Sequence, residues 1–169
     1  MEFERKWLVK GWPDSSLNLL YEQKMEQSYV NLRPTVRIRK EQVIGMEPEY
    51  VFCLKSHSTH DGIAREEIEF NISRDVFERI GEFIGKPAII KNRRTYALKN
   101  GLKLEVNCVD SGTEFESWYA EIEYPSVEAA KAWSSEEDGL SEYLSRETTG
   151  DGTYTMGAYW SRTRGNDLI

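Results

Sequence analysis

The strongest constraint on this fold is a recurring pattern of charges two residues apart. Glu2, Glu4 and Lys6 alternate with Phe3, Arg5 and Trp7. Successive side chains of a strand point to opposite faces, so residues at i and i+2 share one face. The spacing recurs as Arg37 and Arg39, Glu67 and Glu69, Lys91 and Arg93, and Glu121 and Glu123, with Lys55 and Glu105 as single charges on two more strands. For any one strand the ordinary reading is a solvated face. The set reads differently, because three like-signed doublets are acidic and two are basic. A surface built for solubility intersperses its signs. Segregated doublets suit convergence on something held between them. Arg and Lys clusters fit phosphate oxygens, and carboxylate clusters fit a hard divalent cation. To converge, the strands must curl into a barrel with charge pointing inward, into a lumen kept wet and paired by ligand or ion.

The rest of the chain fits that sheet. "EFERKWLV", "PTVRIRKEQ", "EYVFCLKS", "REEIEFNI", "AIIKNRRTYAL", "LKLEVNCV" and "SWYAEIEYP" all read as strands. Lys99-Asn100-Gly101 reads as a hairpin turn. Helical spacing predicts helices over Asp14 to Lys24, Ser73 to Gly85 and Ser126 to Trp133. The expectation is an α+β fold dominated by an antiparallel sheet. No internal boundary appears, so residues 1–169 read as one domain.

A net charge of −7 argues against a general nucleic-acid partner but leaves room for a small anion on a local basic cluster. No signal peptide and no membrane-spanning run is evident, and Cys53 and Cys108 lack ligand spacing, so a reduced cytoplasmic setting is expected. His57 and His60 lie in the polar stretch "KSHSTHDG", read as an exposed loop. Trp7, Trp12, Trp133 and Trp160 read as packing residues, whereas Trp118 is a candidate to stack on a thiamine or adenine ring. No P-loop, dinucleotide fingerprint, zinc-protease helix or nucleophile elbow competes with the charged lumen.

Read in order, these residues resemble the CYTH superfamily, the triphosphate tunnel metalloenzymes. The opening Glu2-Phe3-Glu4-Arg5-Lys6 is similar to its E-x-E-x-K signature. "EQSYVNLRPTVRIRK" resembles the next block, with Tyr29 and the pair Arg37 and Arg39. Lys55 follows in "FCLKS", then Arg65, Glu67 and Glu69 in "GIAREEIEFNI", Lys91 and Arg93 in "IIKNRRTY", Glu105 in "LKLEVN", and Glu121 and Glu123 in "YAEIEY". "TTGDGTYT" resembles a C-terminal element of bacterial members.

The resemblance implies a closed eight-stranded antiparallel barrel with a few peripheral helices. Lys6, Arg37, Arg39, Lys55, Lys91 and Arg93 would bind a linear triphosphate. Glu2, Glu4, Glu69, Glu105, Glu121 and Glu123 would hold Mg²⁺ or Mn²⁺, and Lys6, Glu4 and Tyr29 are the catalytic candidates. The substrate would be tripolyphosphate, ATP or thiamine triphosphate, acted on by a monomer or homodimer. A metal-dependent triphosphatase is the leading expectation. A class IV adenylate cyclase is the first rival, and a non-catalytic polyphosphate or nucleotide binder the second. Two departures stand out. Asn107 replaces the usual Asp two residues after Glu105, removing a negative charge, and Asp110 is the residue placed to compensate, though a loop role is the simpler reading. Arg146 stands near the C-terminal element where hydrolases often have Lys, and a guanidinium is a poor proton donor.

Overall fold

In chain order the elements are β1 (Glu2–Leu8), β2 (Asn18–Leu32), β3 (Thr35–Val43), β4 (Glu49–Lys55), β5 (Ala64–Arg65), β6 (Glu67–Asn71), α1 (Arg74–Ile84), β7 (Ile89–Ala97), β8 (Lys103–Val109), β9 (Ser117–Glu123), α2 (Val127–Ala132), β10 (Arg146–Glu147) and α3 (Met156–Arg164). This computed structural model describes residues 1–165. The strands pair antiparallel in the order β10-β1-β9-β8-β7-β2-β3-β4-β6, and β5 returns to β1. Because β5 and β6 are separated only by Glu66, they act as one bent strand, and the wall becomes the expected eight-stranded barrel with β10 as a short addition. Closure is narrow, resting on the pairs Glu2↔Arg65 and Phe3↔Ala64.

The barrel carries its charge inside and its apolar core outside. The outward phase of β1, β7, β8 and β9 supplies Trp7, Tyr96, Leu104, Val106, Ala120 and Ile122, which pack under α2 and the segment after it through Ala130, Trp133, Leu140 and Leu144. Trp7 and Trp133 meet edge to face at 5.8 Å. Burial of such large side chains outside the wall offsets the cost of ordering a polar lumen. A second cluster closes one end of the tunnel, where Tyr29, Ile89, Val109 and Tyr119 pack against Tyr159 and Trp160 of α3.

Helix α1 starts at Ser73, whose Oγ accepts from the Val76 amide, and ends at Gly85 in the left-handed region. Helix α2 is capped the same way by Ser126. The turn at Asn100 and Gly101 takes positive φ at both residues, as a hairpin of this kind requires. The helix expected over Asp14 to Lys24 is a turn followed by the first half of β2. Two register shifts, at Leu19/Tyr21 and Tyr29/Asn31, break strict alternation along this long strand and hide its period from the sequence.

Candidate functional site

All the expected site residues line one cavity of about 620 Å³ inside the barrel. Register explains their convergence. Lys6 faces Glu121 and Glu4 faces Glu123 across β1 and β9, and Glu105 faces Glu121 from β8. On the far wall Tyr29 faces Arg37, and Lys55 faces Glu67.

Many of these charges neutralise one another. Lys55 Nζ donates to both oxygens of Glu2, at 2.8 and 2.9 Å, and lies 3.3 Å from Glu67. Arg39 pairs with Glu69 at 2.8 Å, and Arg93 pairs with Glu105 at 2.7 Å and Glu121 at 3.6 Å. Two poles stay uncompensated. At the basic pole Lys91 is 2% exposed, and its Nζ donates to the Tyr119 hydroxyl at 3.1 Å, with no carboxylate in ion-pair range among the described residues. Burial, then Arg93 and Arg37, push its pKa well below the ordinary lysine value. The neighbouring Arg37 Nε is buried without a hydrogen-bond partner.

At the acidic pole Glu4 makes no side-chain hydrogen bond or ion pair among the described residues. Burial, followed by Glu121 and Glu2, pushes its pKa up to about 8. Burial, then Glu2 and Glu105, also raises Glu123. Glu121 is held below its usual value: burial acts against this, but Lys6, Arg93 and Lys91 outweigh it. Repelling carboxylates of this kind fit a hard divalent cation.

The expected ligand set is not gathered in one place. Glu2, Glu4, Glu121 and Glu123 share the adjacent strands β1 and β9, with Glu105 beside them, whereas Glu69 sits on β6 against Arg39. Glu69 belongs to a separate group with Cys53 and Glu67, whose donor atoms lie within 4.8 Å of one another. There the carboxylates are engaged by Lys55, Arg37 and Arg39, and burial pushes the Cys53 thiol up, so the group suits Mg²⁺ or Mn²⁺ poorly.

Several residues acquire roles the sequence had not assigned. Arg65 lines the cavity and donates to the Ser56 carbonyl. Tyr119 sits between Lys6 and Lys91. The C-terminal element lies against β1, where the Lys6 amide donates to Thr149 Oγ1 at 3.0 Å, and Thr149, Gly150, Asp151 and Tyr154 line the cavity. Asn107 turns to Arg93, whose Nε donates to its Oδ1 at 2.8 Å. Asp110 does not compensate for it. Asp110 accepts from Arg164, Tyr159 and the Ile90 amide, and so clasps α3 to the barrel. Trp118 packs against Trp12 at 4.8 Å on the outside of the wall, so it cannot stack on a ring held in the tunnel. Arg146 donates to Tyr154 and is not part of the cavity lining. His57 and His60 are exposed, as expected.

No protein-family model and no curated protein matches the chain by sequence. Solved structures do match. The inorganic triphosphatase NE1496 is 24% identical, with a TM-score of 0.56, over 94% of this chain and 93% of that one. HpAC1 of Hippeastrum, an adenylyl cyclase candidate with a dominant triphosphatase activity, is 20% identical, with a TM-score of 0.59, over 96% of each chain. PH1819 of Pyrococcus horikoshii OT3 is 19% identical, with a TM-score of 0.64, over 88% of this chain and 94% of that one. At these identities the likeness carries the fold. The chain has the antiparallel barrel fold of these structures. Among the described residues no helix is long and apolar enough to cross a membrane.

Proposed function

We propose that this chain is a divalent-metal-dependent hydrolase of linear triphosphates, with inorganic tripolyphosphate as its preferred substrate. The observation that carries the reading is the pair of opposite, uncompensated poles in one cavity, Lys91 at one and Glu4 with Glu123 at the other. An oligophosphate with its cation supplies the charge each pole lacks. That two solved structures of this fold carry triphosphatase descriptions adds support.

In this reading Lys6, Arg37, Arg39, Lys55, Lys91 and Arg93 bind and neutralise the phosphates. Glu2, Glu4, Glu121 and Glu123, joined by Glu105, would hold Mg²⁺ or Mn²⁺, while Glu69 stays with Arg39. The bound cation would polarise phosphoryl oxygens and acidify an attacking water. Lys6 reaches the site from the same strand face as Glu4, so one element presents both a cation and an anion. Tyr29 works through Arg37: its ring packs on Trp160, and its hydroxyl accepts from Gln27 at 2.8 Å.

The cyclase reading needs a seat for adenine. Of the rings lining the cavity, those of Tyr29, Tyr119 and Tyr154 are each engaged with a cation or buried in packing, and the imidazole of His57 is exposed at its edge. Product analysis with Mg²⁺ or Mn²⁺ tests the proposal, with tripolyphosphate and ATP offered in parallel. Orthophosphate from tripolyphosphate, with ATP nearly untouched, is the expected result. Cyclic AMP and pyrophosphate from ATP would replace it with the cyclase, and binding without turnover would leave a binding module.

A further inference from the structure

Tyr119 lies at the closed end of the tunnel, where the charged lumen meets the apolar plug formed with Trp160. Its side chain is buried, with the residue 4% exposed. Lys6 Nζ stands 3.9 Å from the centre of its ring, and Lys91 Nζ donates to its hydroxyl at 3.1 Å. One neutral side chain therefore fixes two lysines that arrive from β1 and β7, on opposite sides of β9 and β8.

We propose that Tyr119 is a positioning residue of this site, holding the Lys6 and Lys91 ammonium groups as a seat for the terminal phosphate of the substrate. The proposal rests on the triphosphate reading above. Its logic is electrostatic. A carboxylate at this position would fix the same lysines more tightly but cancel the charge that an anion must meet. A phenol ring attracts a cation by its face and accepts a hydrogen bond by its oxygen, and it adds no negative charge to the pocket. Elsewhere in the lumen the basic groups are matched by carboxylates, as Lys55 is by Glu2 and Arg39 by Glu69, and Lys6 itself lies 3.8 Å from Glu121. The match is withheld at Lys91, which has no carboxylate in ion-pair range among the described residues. An unsubstituted terminal phosphoryl group, which carries the most charge of a linear chain, is the group that fits there.

Two variants separate the two contacts. Tyr119→Phe keeps the ring under Lys6 and removes the acceptor of Lys91, whereas Tyr119→Leu removes both. Titration calorimetry with tripolyphosphate in the absence of metal is the measurement. Tyr119→Phe is expected to weaken binding about fivefold, as loss of one hydrogen bond does. Tyr119→Leu is expected to weaken it about tenfold further, as loss of a desolvated cation–π contact does. In a Lys91→Met background the change to Phe should have no added effect, which a purely structural role would not produce. Kd for Tyr119→Phe within twofold of the unmodified protein, or additive losses in the double variant, overturns the proposal and leaves the triphosphatase reading standing. No tripolyphosphate binding by the unmodified protein overturns both.

Discussion

Glu4 and Asp110 are both shielded carboxylates, and the barrel treats them in opposite ways. Asp110 accepts from Arg164, from the Tyr159 hydroxyl and from a backbone amide. Burial opposes its ionisation, but those bonds outweigh it and hold its pKa below the ordinary value. Glu4 faces Glu123 across the sheet, and its pKa is pushed up to about 8. One carboxylate is complete within the protein and secures α3. The other is buried beside Glu121 and Glu2, which disfavour its charged form, and a cation would relieve that. Within a single barrel, then, one shielded carboxylate is satisfied by the fold and another is left without a partner among the described residues.

The comparison is broken most sharply by Glu4→Gln. Turnover of tripolyphosphate with Mg²⁺ should fall at least about a hundredfold. The metal-free protein should meanwhile gain on the order of 1–2 kcal/mol, seen as a Tm higher by a few degrees, because a buried carboxylate beside Glu121 and Glu2 is replaced by a neutral amide. Loss of activity accompanied by loss of stability would place Glu4 in the architecture instead. Asp110→Asn is the mirror test. It should cost about 3 kcal/mol in urea unfolding, since Arg164 is left buried without its partner. The sign with pH follows from the lowered pKa. The contribution of Asp110 is present above the ordinary carboxylate value and lost as pH falls through its folded one, so the variant should show a flatter acid limb. Asn107→Asp should lower tripolyphosphate affinity only about two- to fivefold, by adding a carboxylate beside Arg93 where an amide oxygen now accepts. Trp118→Ala should leave that affinity unchanged, because the ring stands outside the wall, while Tm drops through the lost contact with Trp12.

The lumen was legible because its charges are dense and strictly alternate on β1, β3, β6, β7 and β9, whose inward phase needs no bulge to explain it. β2 was not. Its inward residues Met25, Gln27 and Tyr29 carry no charge, and its two register shifts erase the period. The helix α3 escaped for a different reason. Its signal is short: Thr155 as a cap, then Met156, Tyr159 and Trp160 at helical spacing, and the stretch reads first as the tail of a loop. What no pattern could supply is which charges cancel. Glu2 and Glu4 look alike in sequence, yet Glu2 belongs to Lys55 while Glu4 belongs to no residue described. That distinction depends on contacts between strands far apart in the chain.

The pairing of β1 has a consequence for how the protein is made. The strand that presents Glu2, Glu4 and Lys6 hydrogen-bonds to β9, and the Lys6 amide reaches a threonine 143 residues later. During synthesis β1 is therefore available long before any of its neighbours in the wall except β5, which joins it by two residue pairs. The β2–β3–β4 meander can form meanwhile from local contacts. The carboxylates of β1 must wait, extended and solvated, until β9 emerges, so this wall of the cavity assembles late. A nascent chain stalled before β9 would carry most of the barrel strands and leave the acidic side of the cavity open.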